Sequence, residues 1–388
     1  MSLTTLINGE FKDFFKEVIP SKKEFKTFSG KSAFSKEYVQ YAEYKLKNPY
    51  NSTIVGTAFD YLARWTIAKN INGIKEDSYS KLIAEHGLKY CERAAKRDKK
   101  YNIIQKKYDD GIKNVERFVN ESSNGTDIIK IAIFFAKLEN IWRSRVPRFC
   151  IDIEKLLEVE KEVFDDLVVL LEVFQTKFIN SGIITPESIV VYNPTFGDAS
   201  YFCGGADADI YIDGTLYDFK CTKREGYVWK DVSQILGYYL LDCISKDSKD
   251  RENDLDKYEI RRIAFYKARF GEVEYYDVSR ESYSQTIKEF EKIFWNFTKN
   301  SNEALKLQSL DCSLELQSIS GASSTLIKAI DKIVTKAQLE IMSKNRELET
   351  IKDASDKKIE LANIELANRV KELELKNKEL EEQLSNSN

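Results

Sequence analysis

Histidine is nearly absent from these 388 residues, His86 being the only one. A Ser-His-Asp or Cys-His triad would have to use it, as would any His-bearing zinc site. It stands in KLIAEHGLKY, near the end of a helical pattern that Gly87 is expected to break, and reads as a surface or C-terminal helix residue. Catalysis, if present, therefore falls to carboxylates, lysine and metal. The six cysteines (Cys91, Cys150, Cys203, Cys221, Cys243 and Cys312) lie far apart with no CxxC pair. That excludes a disulfide framework and the usual zinc or iron–sulfur spacing, and leaves reduced thiols of a cytoplasmic protein as the expectation. No apolar run approaches the roughly 18 residues of a membrane span, and MSLTTLINGEFKDFF lacks the basic-then-apolar order of a signal peptide. SGKS at Ser29–Ser32 is no P-loop, because Phe25 occupies the position of the required earlier glycine. A formal net charge of −3 provides no global attraction to nucleic acid, so any basic surface must be local.

What is present divides along the chain. Residues 1–150 read as a helical N-terminal region. GTAFDYLARWTIAKNI from Gly56 sets Phe59, Leu62, Ala63 and Ile67 at helical spacing, and a helical pattern continues to about residue 120. Within it KYCERAAKRDKKYNIIQKK is strongly basic, with Lys96, Arg97, Lys99 and Lys100 at its centre. These are candidate nucleic-acid contacts, or simply a solvated charged face. From 151 to 300 the period changes. SIVVYNP, DADIYID, TLYDFKC, RIAFYKA and EVEYYDV are strand-like, with the helix WKDVSQILGYYLLDCIS between the third and fourth. Residues 301–325 form a soft linker. From 326 to 388 Leu366, Val370, Leu373, Asn377, Leu380 and Leu384 alternate spacings of four and three. That is the rhythm of a coiled coil, with Asn377 at a core position as a dimer-register device. A homodimer or higher oligomer is expected, a helix folded back on the domain being the other reading.

The most informative stretch is GGADADIYIDGTLYDFKCTK, Gly204 to Lys223. Asp213-Gly214 is the signal of a two-residue type I′ hairpin turn. The register then sets Ile212 against Thr215, Tyr211 against Leu216 and Ile210 against Tyr217, with Asp209 opposite Asp218 and Asp207 opposite Lys220. Period-two alternation puts Asp207, Asp209, Asp218 and Lys220 on one face, with Ile210, Ile212, Tyr217 and Phe219 on the other. Opposed carboxylates roughly 5 Å apart repel each other, and a divalent cation such as Mg²⁺ or Mn²⁺ would relieve that repulsion. An exposed charged strand face is the plainer alternative.

Asp209, followed nine residues later by Asp218-Phe219-Lys220, resembles the D…(D/E)xK signature of PD-(D/E)xK nucleases. The strand–strand–strand–helix–strand order over roughly residues 160–280 is similar to their restriction-endonuclease-like αβββαβ core. Gln234 and Tyr238 resemble the QxxxY motif of the RecB-like branch. That branch has an upstream glycine followed four residues later by a metal-binding histidine. Gly56 and Asp60 match the spacing but offer aspartate. Asp60 is thus a candidate oxygen ligand, or one half of an i,i+4 surface pair with Arg64. Glu172 is the rival upstream carboxylate. The clustered cysteines of the branch's iron–sulfur members are missing.

The fold class so expected is α/β (α+β): a large N-terminal helical region, a nuclease core and a C-terminal coiled-coil helix. The resemblance implies phosphodiester hydrolysis of DNA with Mg²⁺ or Mn²⁺ held by Asp209, Asp218 and the Phe219 backbone carbonyl. Asp60 is the candidate additional ligand, and Gln234 and Tyr238 face DNA or the site. Lys220 positions or deprotonates the attacking water. Exonuclease activity in repair, phage replication or antiviral defence would suit such a chain. The alternative is a DNA-binding or assembly protein of nuclease fold acting through its coiled coil.

Overall fold

The computed structural model describes residues 2–80, 82–94, 100–121, 126–144, 151–247 and 253–298. Helices α1 (Leu3–Asn8) and α2 (Lys12–Val18) precede a two-residue strand, β1 (Lys26–Thr27). A helical block follows: α3 (Asn51–Lys69), α4 (Asp77–Ser80), α5 (Ile83–Ala94), α6 (Lys100–Asn120) and α7 (Thr126–Arg143). The chain continues through α8 (Ile153–Leu157), α9 (Lys161–Lys177), β2 (Val190–Tyr192), α10 (Gly197–Phe202), β3 (Ile210–Ile212) and β4 (Thr215–Lys220). It then runs through α11 (Trp229–Asp247), β5 (Arg262–Lys267) and β6 (Glu272–Asp277). Residues 284–298 are helical. Met1–Glu291 form one unit and Lys292–Asn388 a second, so the division expected at residue 150 falls inside the first. The linker at 301–325 and the coiled coil at 326–388 lie outside the described residues.

The protein is mixed α/β, with a six-stranded mixed sheet in the order β1-β6-β5-β4-β3-β2. Only the β4–β5 pair is parallel, and α11 is the crossover between its strands. The β3–β4 hairpin has the register read from Asp213-Gly214, pairing Ile210 with Tyr217, Tyr211 with Leu216 and Ile212 with Thr215. Both turn residues take positive φ, 47° and 92°, as a type I′ turn demands. The Ile189 amide bonds to the Asp213 carboxylate at 2.8 Å, and Arg261 closes over the turn so tightly that a Cβ on Gly214 would lie 2.5 Å from its guanidinium.

One sheet face is apolar. Ile210, Ile212, Tyr217, Phe219 and Tyr266 join α3, α7 and α9 in a single core. Its centre is aromatic: Phe219 meets Phe59, Phe174, Phe178 and Tyr266 at ring separations of 5.8 to 6.0 Å. Each such pair is worth about 0.5–1.5 kcal/mol beyond its area. Helix α3 is buried along most of its length, so Arg64 and Thr66 sit in the interior, where polar groups are costly. Three details depart from the sequence expectations. Gly87 does not end a helix but lies within α5, where it brings that helix against α7; a Cβ there would fall 2.0 Å from the Leu138 carbonyl oxygen. Strand β1 and the short helix α10 were not expected, being too brief to show a period.

A fully buried ion pair ties four chain segments together. Arg269 (0% exposed) donates to both oxygens of Asp166 (1% exposed) on α9, at 2.9 and 2.6 Å. Its Nε donates to the Cys221 carbonyl just past β4, and Nη1 to the Glu43 carbonyl. Removing one partner of such a pair strands the other charge without compensation. Asp166→Ala is therefore expected to cost about 3–5 kcal/mol of stability, read as a lower urea midpoint at unchanged slope. A loss under about 1 kcal/mol would assign the anchoring to the carbonyl bonds instead.

Candidate active site

Strand β4 carries Asp218 and Lys220 toward α11 while Phe219 between them fills the aromatic core. Asp218 is 5% exposed, and its Oδ2 lies 2.7 Å from Lys220 Nζ. Asp231, in the first turn of α11, approaches the same ammonium at 3.9 Å. Asp209 stands just before β3 and accepts the Phe219 amide on Oδ2 at 2.6 Å. Gln234 and Tyr238, one turn apart on α11, bond to each other, with Gln234 Nε2 donating to the Tyr238 hydroxyl at 2.9 Å. The Tyr238 ring stacks on Phe196 with centroids 5.8 Å apart.

Burial sets the electrostatics. It pushes Asp218 from an ordinary 3.8 up to about 7, against the opposing pull of Lys220, and the nearby Asp209 carboxylate raises it further. Burial also raises Asp209, although the Phe219 amide, Lys220 and Arg64 act the other way. Asp60 is raised well above the ordinary range, first by burial and then by Asp209, with Asp218 contributing. The three carboxylates thus feel one another. Burial alone would lower Lys220, but the charges of Asp218 and Asp231 outweigh it and keep the ammonium protonated. Of the two roles expected of Lys220, positioning or deprotonating a water, its carboxylate neighbours favour the first by holding the proton on. Burial, followed by the nearby Asp207 and Asp218 carboxylates, raises the Tyr238 phenol far above its ordinary value. Its oxygen accepts from Gln234, so its own proton remains available to donate.

The remaining sequence candidates fall as follows. Asp207 does not face Lys220. The β3–β4 ladder ends at Ile210 before reaching Asp207, which bridges Thr195 in the continued β2–β3 register and whose carboxylate meets Arg143 at 2.9 Å. Asp60 and Arg64 make no ion pair with each other among the described contacts; Asp60 Oδ1 and Arg64 Nε are both buried without a hydrogen-bond partner. Glu172 is exposed on α9. His86 is an exposed residue of α5 stacked on Trp142 at 5.3 Å. Lys96, Arg97 and Lys99 lie outside the described residues, and Lys100 is the first residue of α6. Sequence reading missed Glu139, Arg143 and Asp231. Glu139 accepts from the Tyr61 hydroxyl at 2.5 Å and from Arg143 Nε at 2.6 Å. Glu139 and Arg143 stand at i,i+4 on α7, a local signal, but nothing local marks the reach of Arg143 across 64 positions to Asp207.

A hard divalent cation suits this donor set in chemistry: every candidate ligand is an oxygen, and Asp60 Oδ1 is an orphaned buried acceptor. As the side chains stand, no three His, Cys, Asp or Glu residues among those described converge on one point, and Lys220 covers an Asp218 oxygen. Among the described residues no helix is long and apolar enough to cross a membrane.

The raised Asp218 gives a pH signature. Its folded-state value exceeds the unfolded one, so the ionised carboxylate penalises the folded state. The penalty is absent below about pH 4, grows as pH rises toward 7 and is complete above it. Asp218→Asn should therefore gain thermal stability relative to the parent across that window, by up to a few kcal/mol, with the two coinciding near pH 4. Parallel curves from pH 4 to 8 would mean that Asp218 titrates normally.

No protein family, curated protein or solved structure matches this chain.

Proposed function

We propose that the chain is a metal-dependent deoxyribonuclease of the PD-(D/E)xK type. The observation that carries this reading is the pair of carboxylates, half-buried Asp209 and buried Asp218, held beside Lys220 at the end of a type I′ hairpin. A scaffold gains nothing from placing three acids where burial raises their pKa values, and desolvation makes the arrangement costly.

Asp209 and Asp218, with Asp60 as the third oxygen donor, would hold Mg²⁺ or Mn²⁺. Such an ion, when bound, supplies charge neutralisation at a phosphoryl oxygen and a more acidic water. The chain's own groups do the rest. Lys220 stays charged and orients water or a developing oxyanion. Tyr238, held by Gln234, offers a hydroxyl proton to a substrate oxygen. The Phe219 amide fixes which oxygen of Asp209 is left to bind outward. A second reading, a DNA-binding or assembly protein of this fold, is favoured by the Lys220–Asp218 contact and by the lack of a gathered ligand set among the described residues.

One experiment separates the two. Linear duplex, closed circular duplex and single-stranded DNA are incubated with Mg²⁺ or Mn²⁺. The wild type is expected to cut at least one of them, EDTA and Asp218→Ala should abolish cutting, and Lys220→Ala should slow it on the order of 10²–10³-fold. Equal inertness of wild type and Asp218→Ala across both metals would sink the nuclease reading. Mg²⁺ should also raise the wild-type melting temperature more at pH 8 than at pH 5.5, because protons compete for Asp218, and should leave Asp218→Asn unmoved. An equal rise at both pH values would remove Asp218 from the ion's ligands.

A further inference from the structure

Asp60 and Arg64 are one helical turn apart on α3, the spacing at which opposite charges ordinarily pair. Here each is left over. Asp60 Oδ1 and Arg64 Nε are buried without hydrogen-bond partners, and no described carboxylate makes an ion pair with Arg64. Arg64 is only 7% exposed, with its guanidinium 5.4 Å from the Tyr61 ring centroid. The acids around it are committed elsewhere. Glu139 is taken by Tyr61 and Arg143, and Asp209 Oδ2 by the Phe219 amide. A guanidinium presents five donors in a planar fork and cannot shed its charge to escape burial. No described carboxylate bonds this guanidinium directly, although it lies close enough to Asp60 and Asp209 for its charge to act on both.

We propose that Arg64 is a phosphate-contact residue, its fork donating to the non-bridging oxygens of the nucleic-acid phosphodiester that reaches Asp209 and Asp218. The assignment rests on the nuclease reading and extends it with a cation that the sequence pattern does not single out. It also explains why Asp60 and Arg64 remain apart. The carboxylate is kept for a cation and the guanidinium for an anion, and an Asp60–Arg64 pair would consume both. Arginine suits the task better than lysine because a phosphate offers two oxygens in the geometry of the fork.

The test has a binding arm and a cleavage arm, both on the full chain. In the first, Asp218→Asn protein is titrated with fluorescein-labelled single-stranded oligonucleotides in which each phosphate in turn is replaced by a neutral methylphosphonate. One replacement is expected to weaken binding about tenfold, the size of a charge-assisted hydrogen bond. In Asp218→Asn/Arg64→Gln the same replacement should cost less than about twofold, and the slope of log affinity against log salt should fall by about 0.7. A methylphosphonate penalty that survives the Arg64 change overturns the assignment, as does a parent that fails to bind. If Arg64→Gln does not fold, Arg64→Lys decides. It keeps the charge but loses the fork, so the penalty should shrink severalfold, and an unchanged penalty rejects the proposal. Inorganic phosphate added as competitor shows whether the free ion suffices: displacement only at concentrations far above that of the oligonucleotide is expected, and equal potency overturns the phosphodiester assignment. The cleavage arm judges the nuclease reading separately. Wild-type protein that cuts the oligonucleotide with Mg²⁺ but shows no Arg64-dependent penalty loses this inference and keeps the activity. Arg64-dependent binding without cutting does the reverse.

Discussion

The contact between Arg269 and Asp166 is the constraint on which the candidate site depends. Neither side chain reaches solvent, and the guanidinium also binds the Cys221 and Glu43 carbonyls. The Tyr41 and Ala42 amides return bonds to the Arg269 carbonyl. One residue thus fixes the end of β4, the loop after β5, helix α9 and the segment before α3. Cys221 directly follows Lys220, whose own carbonyl accepts the Ala268 amide at 3.0 Å. The strand carrying Asp218 and Lys220 is therefore held at its C-terminal end by bonds on both sides of the sheet's one parallel step. A hydrophobic replacement of the pair could equal its stability, but it would release the Cys221 and Glu43 carbonyls, which lie in two separate segments. The pair's contribution lies in position as much as in energy.

A second consequence follows from the alternation along β4. Phe219 must enter the aromatic core for the sheet to pack on α3 and α9, and its neighbours Asp218 and Lys220 then have to point toward α11. There Lys220 approaches Asp231, with the bonded pair Gln234 and Tyr238 farther along that helix and Tyr238 within reach of the Asp218 charge. Hydrophobic packing on one side of the strand forces the polar constellation on the other. Desolvation raises Asp218 and Asp209, while Lys220 remains charged because two acids surround it. The same burial that gives the sheet its core therefore gives the site its unusual protonation states.

Much of this was legible in the sequence, for a physical reason. A type I′ turn fixes register, and register fixes faces, so Asp213-Gly214 alone implied the pairing of Ile210, Tyr211 and Ile212 and the shared face of Phe219 and Tyr217. The helical spacing of Gln234 and Tyr238 likewise became a direct hydrogen bond. The failures are long-range. The Asp207 carboxylate turns away from the hairpin because Arg143 draws it from across the fold. Gly87 looked like a helix end, since only the approach of Leu138 explains a glycine in mid-helix. Asp60 stayed open between an oxygen ligand and half of a surface pair with Arg64, because the pattern cannot report that α3 is a largely buried helix.

That open alternative has the widest bearing. At a surface, an i,i+4 pair contributes only a few tenths of a kcal/mol, and its loss passes unnoticed. In the interior the same two residues carry a desolvation cost that pairing would partly offset, yet the fold leaves each with an orphaned atom. Arg64 lies over Tyr61, and Tyr61 donates to Glu139, so the acid on α7 that could have satisfied the guanidinium is already engaged. Arg143 then occupies Glu139's other oxygen and Asp207 together. Each member of this chain satisfies the next and none turns back to Arg64. Tyr61, Glu139, Arg143 and Asp207 thus satisfy one another, while Asp60 Oδ1 and Arg64 Nε are left buried without hydrogen-bond partners, as is Asp218 Oδ2 apart from its contact with Lys220. These open atoms of both signs are the ground on which an external cation and anion are proposed.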